Sequence, residues 1–570
     1  MPLEQLCPRN SCFFCIMKEP ASSIRRATMK DYLKGIGFLD DEELILVVSS
    51  LWTVAMTQPD DEELPSLGIF ECMASLINKA INDTTWLLKH QNIYIPYYAA
   101  HIIGSYTMNK VDFAVKAVES GVIPPLLELL RGKMSWVEQR VAIRALGHLA
   151  SYEKTFMSLR VYEDEVVKLA MKLASSCLEE VYTMFVGNRK AEEWASQLQC
   201  WSVHLLNCFA IKERSLGLIC NKEFLKDLSD MWGGLVNHTS AGGLGLIRIL
   251  CYSKVGRESI SKSRQVIENL CNVSRSSDDW QYMAIDCLLL LLKDQDTRYK
   301  VIDIATMYLV DLIELRSLAN RTNLGETITR ALVHDYKHRQ SRIQNVDIQT
   351  KLAEIWDLKV VRRKTEQNMS TNKLEAKMAM AKLIKQQGNH GLSFGEIEEA
   401  ILKYSEALQI CPLKYRNERV MLYSSRAKCN LLLRDPNAAI SDATRALCLS
   451  NPTNSNANSL WIRAQAYDMI GMAKESLMDC IMFINSYTES NTDNRVRFPY
   501  YAIRMITKQM ESTWLFGDAH LKAKELSENG EMIRFQVKNK RCLSGLSTIL
   551  EESFDARERR ESVKGRNQTI

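Results

Sequence analysis

Proline and glycine are scarce in this 570-residue sequence, which contains 12 prolines and 24 glycines. Both counts are below the roughly 5% and 7% that are usual for proteins. Because these residues most strongly disfavour helix interiors, their scarcity favours a helical chain. Apolar residues make up 46% and charged residues 25%, a balance typical of globular proteins and not of disordered ones. The length allows two or more domains, or one long array of repeats.

The sequence also lacks an excess of charge of either sign. Its 73 basic and 68 acidic residues give a net charge of +5, so bulk charge favours neither a nucleic acid nor a membrane as partner. The most apolar runs, Leu44–Met56 and Cys287–Leu292, are too short or too interrupted to span a bilayer. No basic and then apolar segment opens the chain, so we expect no secretory signal. With 16 scattered cysteines, these features predict a cytoplasmic protein, with the nucleus as a second compartment.

Catalytic motifs are absent as well. The sequence contains no phosphate-binding loop G-x-x-x-x-G-K-[ST], no dinucleotide fingerprint after a strand, no G-x-S-x-G elbow and no H-E-x-x-H zinc motif. The nine histidines are dispersed and form no ligand-like pair with a cysteine or carboxylate. We therefore expect a protein that is not an enzyme, with no catalytic residues, no cofactor and no small-molecule substrate.

Three cysteines near the start have a spacing that metal sites use. Cys7, Cys12 and Cys15 stand at C-x4-C-x2-C, the spacing of the first three ligands of a plant-type iron–sulfur loop. A fourth ligand is missing, because the next cysteine, Cys72, lies in an apolar helical segment. We interpret the cluster as a lead-in to the first helix and predict no metal site; metal binding, lipidation and redox use are the alternatives.

Residues 40–345 form a series of amphipathic helical patterns separated by short polar breaks. In the clearest unit, Ala114–Ser151, Pro124 and Pro125 suit the first turn of a helix, and two apolar helix faces follow. This unit resembles an armadillo (ARM) repeat. Weaker copies align on its last helix at intervals of 44, 59 and 41 residues, two of which match the ~40–47-residue ARM period. The aligned positions are Gly104, His148, Asn207 and Arg248.

The ARM resemblance implies a solenoid over residues 40–345 with a peptide-binding inner face. In ARM proteins similar to the nuclear-import adaptors, repeated asparagines on the inner helices hold a peptide backbone, and tryptophans one turn earlier hold lysine side chains. Asn207 matches the asparagine, while Trp201 lies six residues before it. His148, Asn207 and Arg248 are therefore the candidate residues of the ARM face, for a second protein partner.

A different repeat pattern begins at residue 381. In residues 381–412, two short amphipathic helices are separated by a turn at Gly395, and Pro412 ends the second one. Small residues stand where the helices must approach closely: Gly388, Ala400 and Ala407. This order over about 34 residues is that of a tetratricopeptide repeat (TPR). Further copies follow at 420–453 and 457–490.

The TPR block resembles the co-chaperone type that clamps the acidic C-terminal peptide of cytosolic heat-shock chaperones. Such domains hold the carboxylates with cationic and amide donors. Lys385 and Asn389 match the lysine and asparagine of the first repeat, and Ser425 stands where the second repeat has an asparagine. The resemblance thus implies that these residues line a peptide groove.

In the third repeat the match to the clamp is different. Asn458 and Ile462 stand where such domains have a lysine and an arginine, and Arg463 follows directly. Asn458 and Arg463 therefore complete the candidate groove residues. The resemblance implies the acidic tail of a cytosolic heat-shock chaperone as one candidate partner, and a different peptide or helix is the alternative ligand of this groove.

The remaining segments connect or flank the repeats. Residues 1–39 are a lead-in, 346–380 a basic helical connector, 491–535 capping helices and 536–570 a disordered charged tail. The sequence thus predicts an all-α protein, an α–α superhelix in which an ARM-like solenoid precedes a TPR solenoid. The predicted function is a non-enzymatic scaffold that joins two protein partners. The alternative is a nucleic-acid-associated scaffold that uses the basic segment 361–385.

Overall fold

The computed structural model describes residues 12–175, 178–185, 191–231, 242–277, 280–318, 321–334, 336, 343–490, 498–514 and 516–528. The prediction of an all-α fold is confirmed. Within these residues, β structure is limited to the antiparallel strands β1 (Ser317–Leu318) and β2 (Arg321–Thr322). The predicted tail at 536–570 lies outside the described residues.

The chain divides into two compact units. Unit 1 comprises Met1–Val161, Cys177–Leu198 and Phe516–Ile570. Unit 2 comprises Tyr162–Ser176 and Gln199–Leu515. The later ARM-like helices and the whole TPR block therefore belong to the same unit, whereas the predicted domain boundaries stay predictions.

The ARM-like part begins with short helices and continues with longer ones. Its helices are α1 (Phe13–Met17), α2 (Ser22–Gly35), α3 (Asp41–Thr57), α4 (Glu63–Ser66), α5 (Ile69–Asn82), α6 (Thr84–Leu87), α7 (Ile95–Thr107), α8 (Val111–Glu119), α9 (Ile123–Leu130), α10 (Trp136–Ser151), α11 (Glu153–Leu159), α12 (Glu163–Ser175), α13 (Leu178–Phe185), α14 (Ala191–Ile211), α15 (Leu216–Ile219), α16 (Lys222–Asp230), α17 (Gly242–Tyr252), α18 (Lys254–Ile260), α19 (Arg264–Ser274), α20 (Gln281–Lys293), α21 (Gln295–Leu309) and α22 (Leu324–Leu332). Short 3₁₀ turns lie at Ile36–Phe38, Asn92–Tyr94, Arg160–Tyr162 and Val310–Leu312.

The connector, the TPR block and two helices that follow it in sequence complete the set of helices. Their helices are α23 (Val346–Trp356), α24 (Arg363–Gln367), α25 (Thr371–Ser393), α26 (Ile397–Ile410), α27 (Arg416–Leu432), α28 (Pro436–Leu449), α29 (Ala457–Met469), α30 (Ala473–Ser490), α31 (Tyr500–Thr513) and α32 (Gly517–Glu528). A π-helical turn, Asp357–Arg362, joins α23 to α24.

The clearest ARM-like unit folds as its sequence pattern predicts. Pro124 and Pro125 lie in the first turn of α9, where no intrahelical partner for a backbone N–H is lost. The next helix, α10, begins with a capping box in which Val137 N donates to Ser135 Oγ at 3.2 Å and Ser135 N donates to Glu138 at 3.0 Å. The apolar faces of α9 and α10 are buried in unit 1.

The TPR block consists of three helix pairs, α25–α26, α27–α28 and α29–α30. In each pair the turn places one residue, at an equivalent position, in the left-handed region: Gly395 (φ 83°), Arg434 (φ 60°) and Gly471 (φ 76°). Glycine adopts this conformation without steric cost, but arginine does not. Repeat 2 therefore makes the same turn with a less suitable residue.

The third repeat ends the array in an aromatic cluster. Phe483 occupies a position where the other two repeats have alanine, and its ring lies 5.3 Å from that of Trp461. Ala502 of α31 is fully buried in the same cluster. The Phe483 side chain thus fills the space at the end of the TPR block. Helix α31 covers this side chain, with the small residue Ala502 at the contact.

Candidate peptide-binding site

The first helix of each TPR carries the predicted groove residues. Lys385 and Asn389 lie on α25, Ser425 on α27 and Asn458 on α29. Residues three, four or seven positions apart share one side of a helix, so Lys382 joins Lys385 and Asn389 in one stripe. Helix α27 contacts both its own partner α28 and the next first helix, α29. We call the surface made by the exposed sides of α25, α27 and α29 the A face.

Tyr404 of α26 orients the amide of Asn389. A Cβ on Gly388 would lie 2.9 Å from Cε1 of Tyr404, so this ring packs against α25 only because residue 388 is glycine. The Tyr404 hydroxyl donates to Asn389 Oδ1 at 2.8 Å. Burial raises the pKa of Tyr404 and keeps its hydroxyl protonated. With Oδ1 engaged, the Asn389 amide retains its NH₂ as the donor for a ligand.

The two lysines of the stripe share one carboxylate. Lys385 Nζ lies 3.2 Å from Glu418 Oε2, and Lys382 Nζ lies 3.7 Å from Glu418 Oε1. Glu418 lies in the first turn of α27. The exposed fractions of the side chains are 57% for Lys382, 22% for Lys385 and 28% for Glu418. Lys382 is therefore exposed, whereas the pair of Lys385 with Glu418 is only partly exposed.

In the third repeat, the predicted residues separate. Asn458 is exposed, whereas Ile462 is buried. Arg463 is 1% exposed: its Nε lies 2.7 Å from Asp479 Oδ2, and its Nη2 donates to Ser277 Oγ at 2.6 Å. Burial lowers the pKa of Arg463, but Asp479 outweighs that effect and raises it above its ordinary value. The structure thus places Arg463 inside unit 2, where it does not reach a peptide on the A face.

Two further arginines connect the TPR block to the ARM-like helices of unit 2. Arg419, at 1% side-chain exposure, donates to both carboxylate oxygens of Glu314, one of them at 2.7 Å. Arg445 Nε donates to Asp311 at 2.8 Å, and its Nη1 donates to Glu354 at 2.5 Å. We call Arg419, Arg445 and Arg463 the buried arginines. They hold the TPR block against residues 277–354.

Aromatic side chains extend the A face beyond the third repeat. Helix α31 lies beside α29, where the Tyr501 ring is 4.8 Å from the Trp461 ring and Lys508 Nζ is 2.6 Å from Asp468. Tyr501 is half exposed, and Trp461 is partly buried. The A face therefore has cationic and amide donors at one end and aromatic carbon at the other.

The ARM-face candidates lie in different environments. In unit 1, His148 is buried, and its Nδ1 lies 2.8 Å from the Gly104 carbonyl oxygen, so two aligned repeat positions contact each other. In unit 2, Arg248 Nη2 lies 3.1 Å from Asp286. Asn207 is partly buried, and its Oδ1 has no hydrogen-bond partner among the described residues. The predicted peptide-binding role of these three residues stays a prediction.

Three basic residues of the connector, Lys359, Arg362 and Arg363, have their charges engaged inside unit 2. Lys359 Nζ lies 2.8 Å from Glu326, and Arg363 Nη1 lies 3.1 Å from the same carboxylate. Arg362 pairs with Glu366 at 2.9 Å and donates to the Leu408 carbonyl at 3.0 Å. These contacts leave less positive charge for a phosphate backbone than the sequence suggests.

The N-terminal cysteine cluster is described only in part. Cys7 lies outside the described residues, while Cys12 and Cys15 have their sulfur atoms 3.5 Å apart at the ends of the first turn of α1. Within the described ranges, no three metal-ligating side chains form a group that could hold an ion. None of the helices in these ranges has the length and hydropathy needed to cross a bilayer.

Sequence reasoning missed Glu418 and the aromatic end of the A face. Glu418 precedes the second repeat, where the repeat pattern assigns no role, although its position in the first turn of α27 could have suggested a place near the preceding first helix. The repeat pattern also gives no sign of the hydrogen bond from Tyr404 to Asn389. Tyr501 follows Trp461 by about one repeat length, which could have indicated that α31 continues the series of first helices α25, α27 and α29.

This arrangement defines an α-helical repeat protein with polar side chains on the first helices of its TPR block. Residues 4–190 and 186–221 match the family model described as "Plant ARM repeat". Protein unc-45 homolog B of Danio rerio is 28% identical over 96 residues, and the DnaJ homolog subfamily C member 7 homolog of Schizosaccharomyces pombe is 36% identical over 95 residues. Each match covers 17% of this chain, but only 10% and 19% of the respective relative. Together these matches support an ARM and TPR repeat protein.

Solved structures add little to this result. A designed armadillo repeat protein aligns with a TM-score of 0.25 at 16% identity, covering 53% of this chain and 98% of its own. An engineered protein aligns with a TM-score of 0.35 at 14% identity, covering 87% and 97%. Because both TM-scores are below 0.5, the fold rests on the helices described above. The repeat fold and the relatives support a protein-interaction scaffold.

Proposed function

We propose that this protein is a non-enzymatic scaffold whose A face binds an acidic peptide segment of one partner, while its ARM-like helices bind a second protein. The observation that carries the proposal is the distribution of charge in the TPR block. The buried arginines are used up in internal ion pairs, whereas Lys382, Lys385 and the Asn389 amide are presented together on the A face.

The chemistry of these donors defines the ligand. Two ammonium groups and one amide NH₂ on a single helix stripe are suited to carboxylate oxygens, which accept charge-assisted hydrogen bonds. Trp461 and Tyr501 at the other end add apolar surface for a neighbouring side chain of the peptide. The C-terminal tail of a cytosolic heat-shock chaperone, which ends in Glu-Glu-Val-Asp, has this chemistry and makes the protein co-chaperone-like.

Fluorescence anisotropy of the full chain with a labelled peptide that ends in Glu-Glu-Val-Asp tests this function. We expect Lys385→Ala and Asn389→Ala each to weaken binding about fivefold or more, since a hydrogen bond to a charged group is lost. Lys403→Ala is the matched control, because this lysine lies on α26 and pairs with Glu406 at 3.4 Å. Absence of binding at high micromolar peptide, or equal losses in all three variants, would overturn the proposal.

A further inference from the structure

We propose that Glu418 is the specificity-determining residue of the A face: a resident carboxylate that occupies the Lys382–Lys385 pair and that a ligand carboxylate must displace. This inference rests on the proposed function. It follows from the position of Glu418, whose two oxygens each face one lysine, at 3.2 Å and 3.7 Å. A bound peptide would present its carboxylate to the same two ammonium groups.

Lys382, Lys385 and Glu418, which we call the triad, form a group separate from the neighbouring charges. Arg419, the next residue, carries its charge away from the A face to Glu314. The Asn389 oxygen is held by Tyr404, so the amide adds a donor to the lysines and not a second acceptor. Glu418 is thus the acidic group that the described contacts place against the two lysines. It lowers the net charge of the triad from +2 to +1.

The ion pair is suited to exchange with a ligand. Partly exposed pairs contribute little to stability because water and salt screen them, and all three side chains keep part of their surface exposed to solvent. A ligand with one carboxylate would gain little, since it only replaces an existing partner. A segment with two or more carboxylates gains more, because one can replace Glu418 while another accepts from the Asn389 amide. The inferred partner is therefore a multiply acidic peptide.

Binding of the Glu-Glu-Val-Asp peptide to the full-length Glu418→Gln variant tests this role. We expect this variant to bind about threefold to fivefold more tightly than the unaltered protein, which is the worth of a partly exposed ion pair. Glu406→Gln is the matched control: it removes the same charge from α26, where Glu406 pairs with Lys403. Its affinity should stay within about 1.5-fold, because Glu406 pairs with Lys403 and not with the A-face lysines, and its partly exposed charge is screened by water and salt.

The double variant Lys385→Ala/Glu418→Gln shows where any gain arises. It should lose the tighter binding of Glu418→Gln, since the released lysine is absent. A thermal melt of each variant checks folding; a merely structural tie between α25 and α27 would lower the melting midpoint of Glu418→Gln without raising its affinity. That result would overturn the role of Glu418 and leave the proposed function standing. The same conclusion would follow if Glu418→Gln bound the peptide equally well or more weakly than the unaltered protein while Lys385→Ala still reduced the affinity. Absence of peptide binding in every variant would overturn both.

Discussion

The TPR block uses arginine and lysine in two separate places. Arg419, Arg445 and Arg463 are buried or nearly so, and each donates to a carboxylate through two nitrogens or to two carboxylates at once. Lys382 and Lys385 lie on the A face and share Glu418 through contacts that are partly exposed to solvent. Arginine has a planar, weakly hydrated fork that suits a buried pair, whereas lysine keeps a hydrated point charge. Residue type, as much as position, distinguishes internal support from ligand contact in this block.

The largest expected effect is the loss of a buried arginine. Arg463→Ala should destabilise the region around α29 and α30 by about 3–5 kcal/mol, because Asp479 would remain buried without its partner. Hydrogen exchange of the amides in these helices, followed by mass spectrometry, measures the effect as faster exchange in both helices.

Lys385→Ala is the comparison variant for that experiment. The pair of Lys385 with Glu418 is partly exposed to solvent. Losing this pair should therefore lower the opening free energy of the amides in α25 and α27 by less than about 1 kcal/mol. If both variants changed exchange equally, the distinction between the buried arginines and the A-face lysines would be wrong.

A smaller effect is expected from the partner of Arg419. Burial alone would raise the pKa of Glu314, but Arg419 outweighs it and lowers that pKa below its ordinary value. A lowered folded-state pKa gives stability that is present above the unfolded pKa, about 4.3, and is lost as the pH falls through the folded-state pKa. Glu314→Gln should therefore cost about 3 kcal/mol at neutral pH, the low end for a broken buried pair, because the glutamine amide still offers Arg419 an acceptor oxygen.

The pH dependence of the melting midpoint checks this assignment. Between neutral pH and about pH 3, the unaltered protein should lose more stability than Glu314→Gln, so the two midpoints converge in acid. Parallel curves would show that Glu314 does not supply this stability. Glu399→Gln, an exposed carboxylate near Lys403, is the control, and its curve should follow that of the unaltered protein.

A pair of glycines on α25 tests the packing that orients the A face. Gly388→Ala should destabilise the block by about 1–3 kcal/mol, since the new Cβ would lie 2.9 Å from the Tyr404 ring. Gly391→Ala is the matched control: its Cβ would have nothing closer than 3.6 Å, and alanine favours a helix over glycine by roughly 0.5–1 kcal/mol. Thermal melts should therefore shift in opposite directions, and a common shift would contradict the role assigned to Gly388.

Local spacing predicted the helix pairs better than it predicted the site. Gly388, Ala400 and Ala407 are small because the two helices of one repeat pack closely at these positions. Both helices lie within about 34 residues of sequence, so the local pattern is sufficient to predict this contact. The burial of Arg463 depends on Ser277, which is 186 residues away, and that of Arg419 on Glu314, which is 105 residues away. No local pattern encodes such contacts, so a repeat alignment reads Arg463 as a neighbour of the groove. The stripe of Lys385 and Asn389 was predictable because both lie on one helix.

Arg434 gives a third use of arginine, and the smallest expected effect. It is exposed and stands in the left-handed turn of the second repeat, at the position that Gly395 and Gly471 occupy in the other two. A non-glycine residue in this conformation costs roughly 1 kcal/mol, which a glycine avoids. Part of the resulting gain in stability is offset, because glycine loses more chain entropy on folding. Arg434→Gly should therefore stabilise the block by about 0.5 kcal/mol and leave peptide affinity unchanged. A lower melting midpoint for Arg434→Gly would mean that the Arg434 side chain supports the fold, as the buried arginines do. Exposure alone would then not distinguish residues that support the fold from residues that do not.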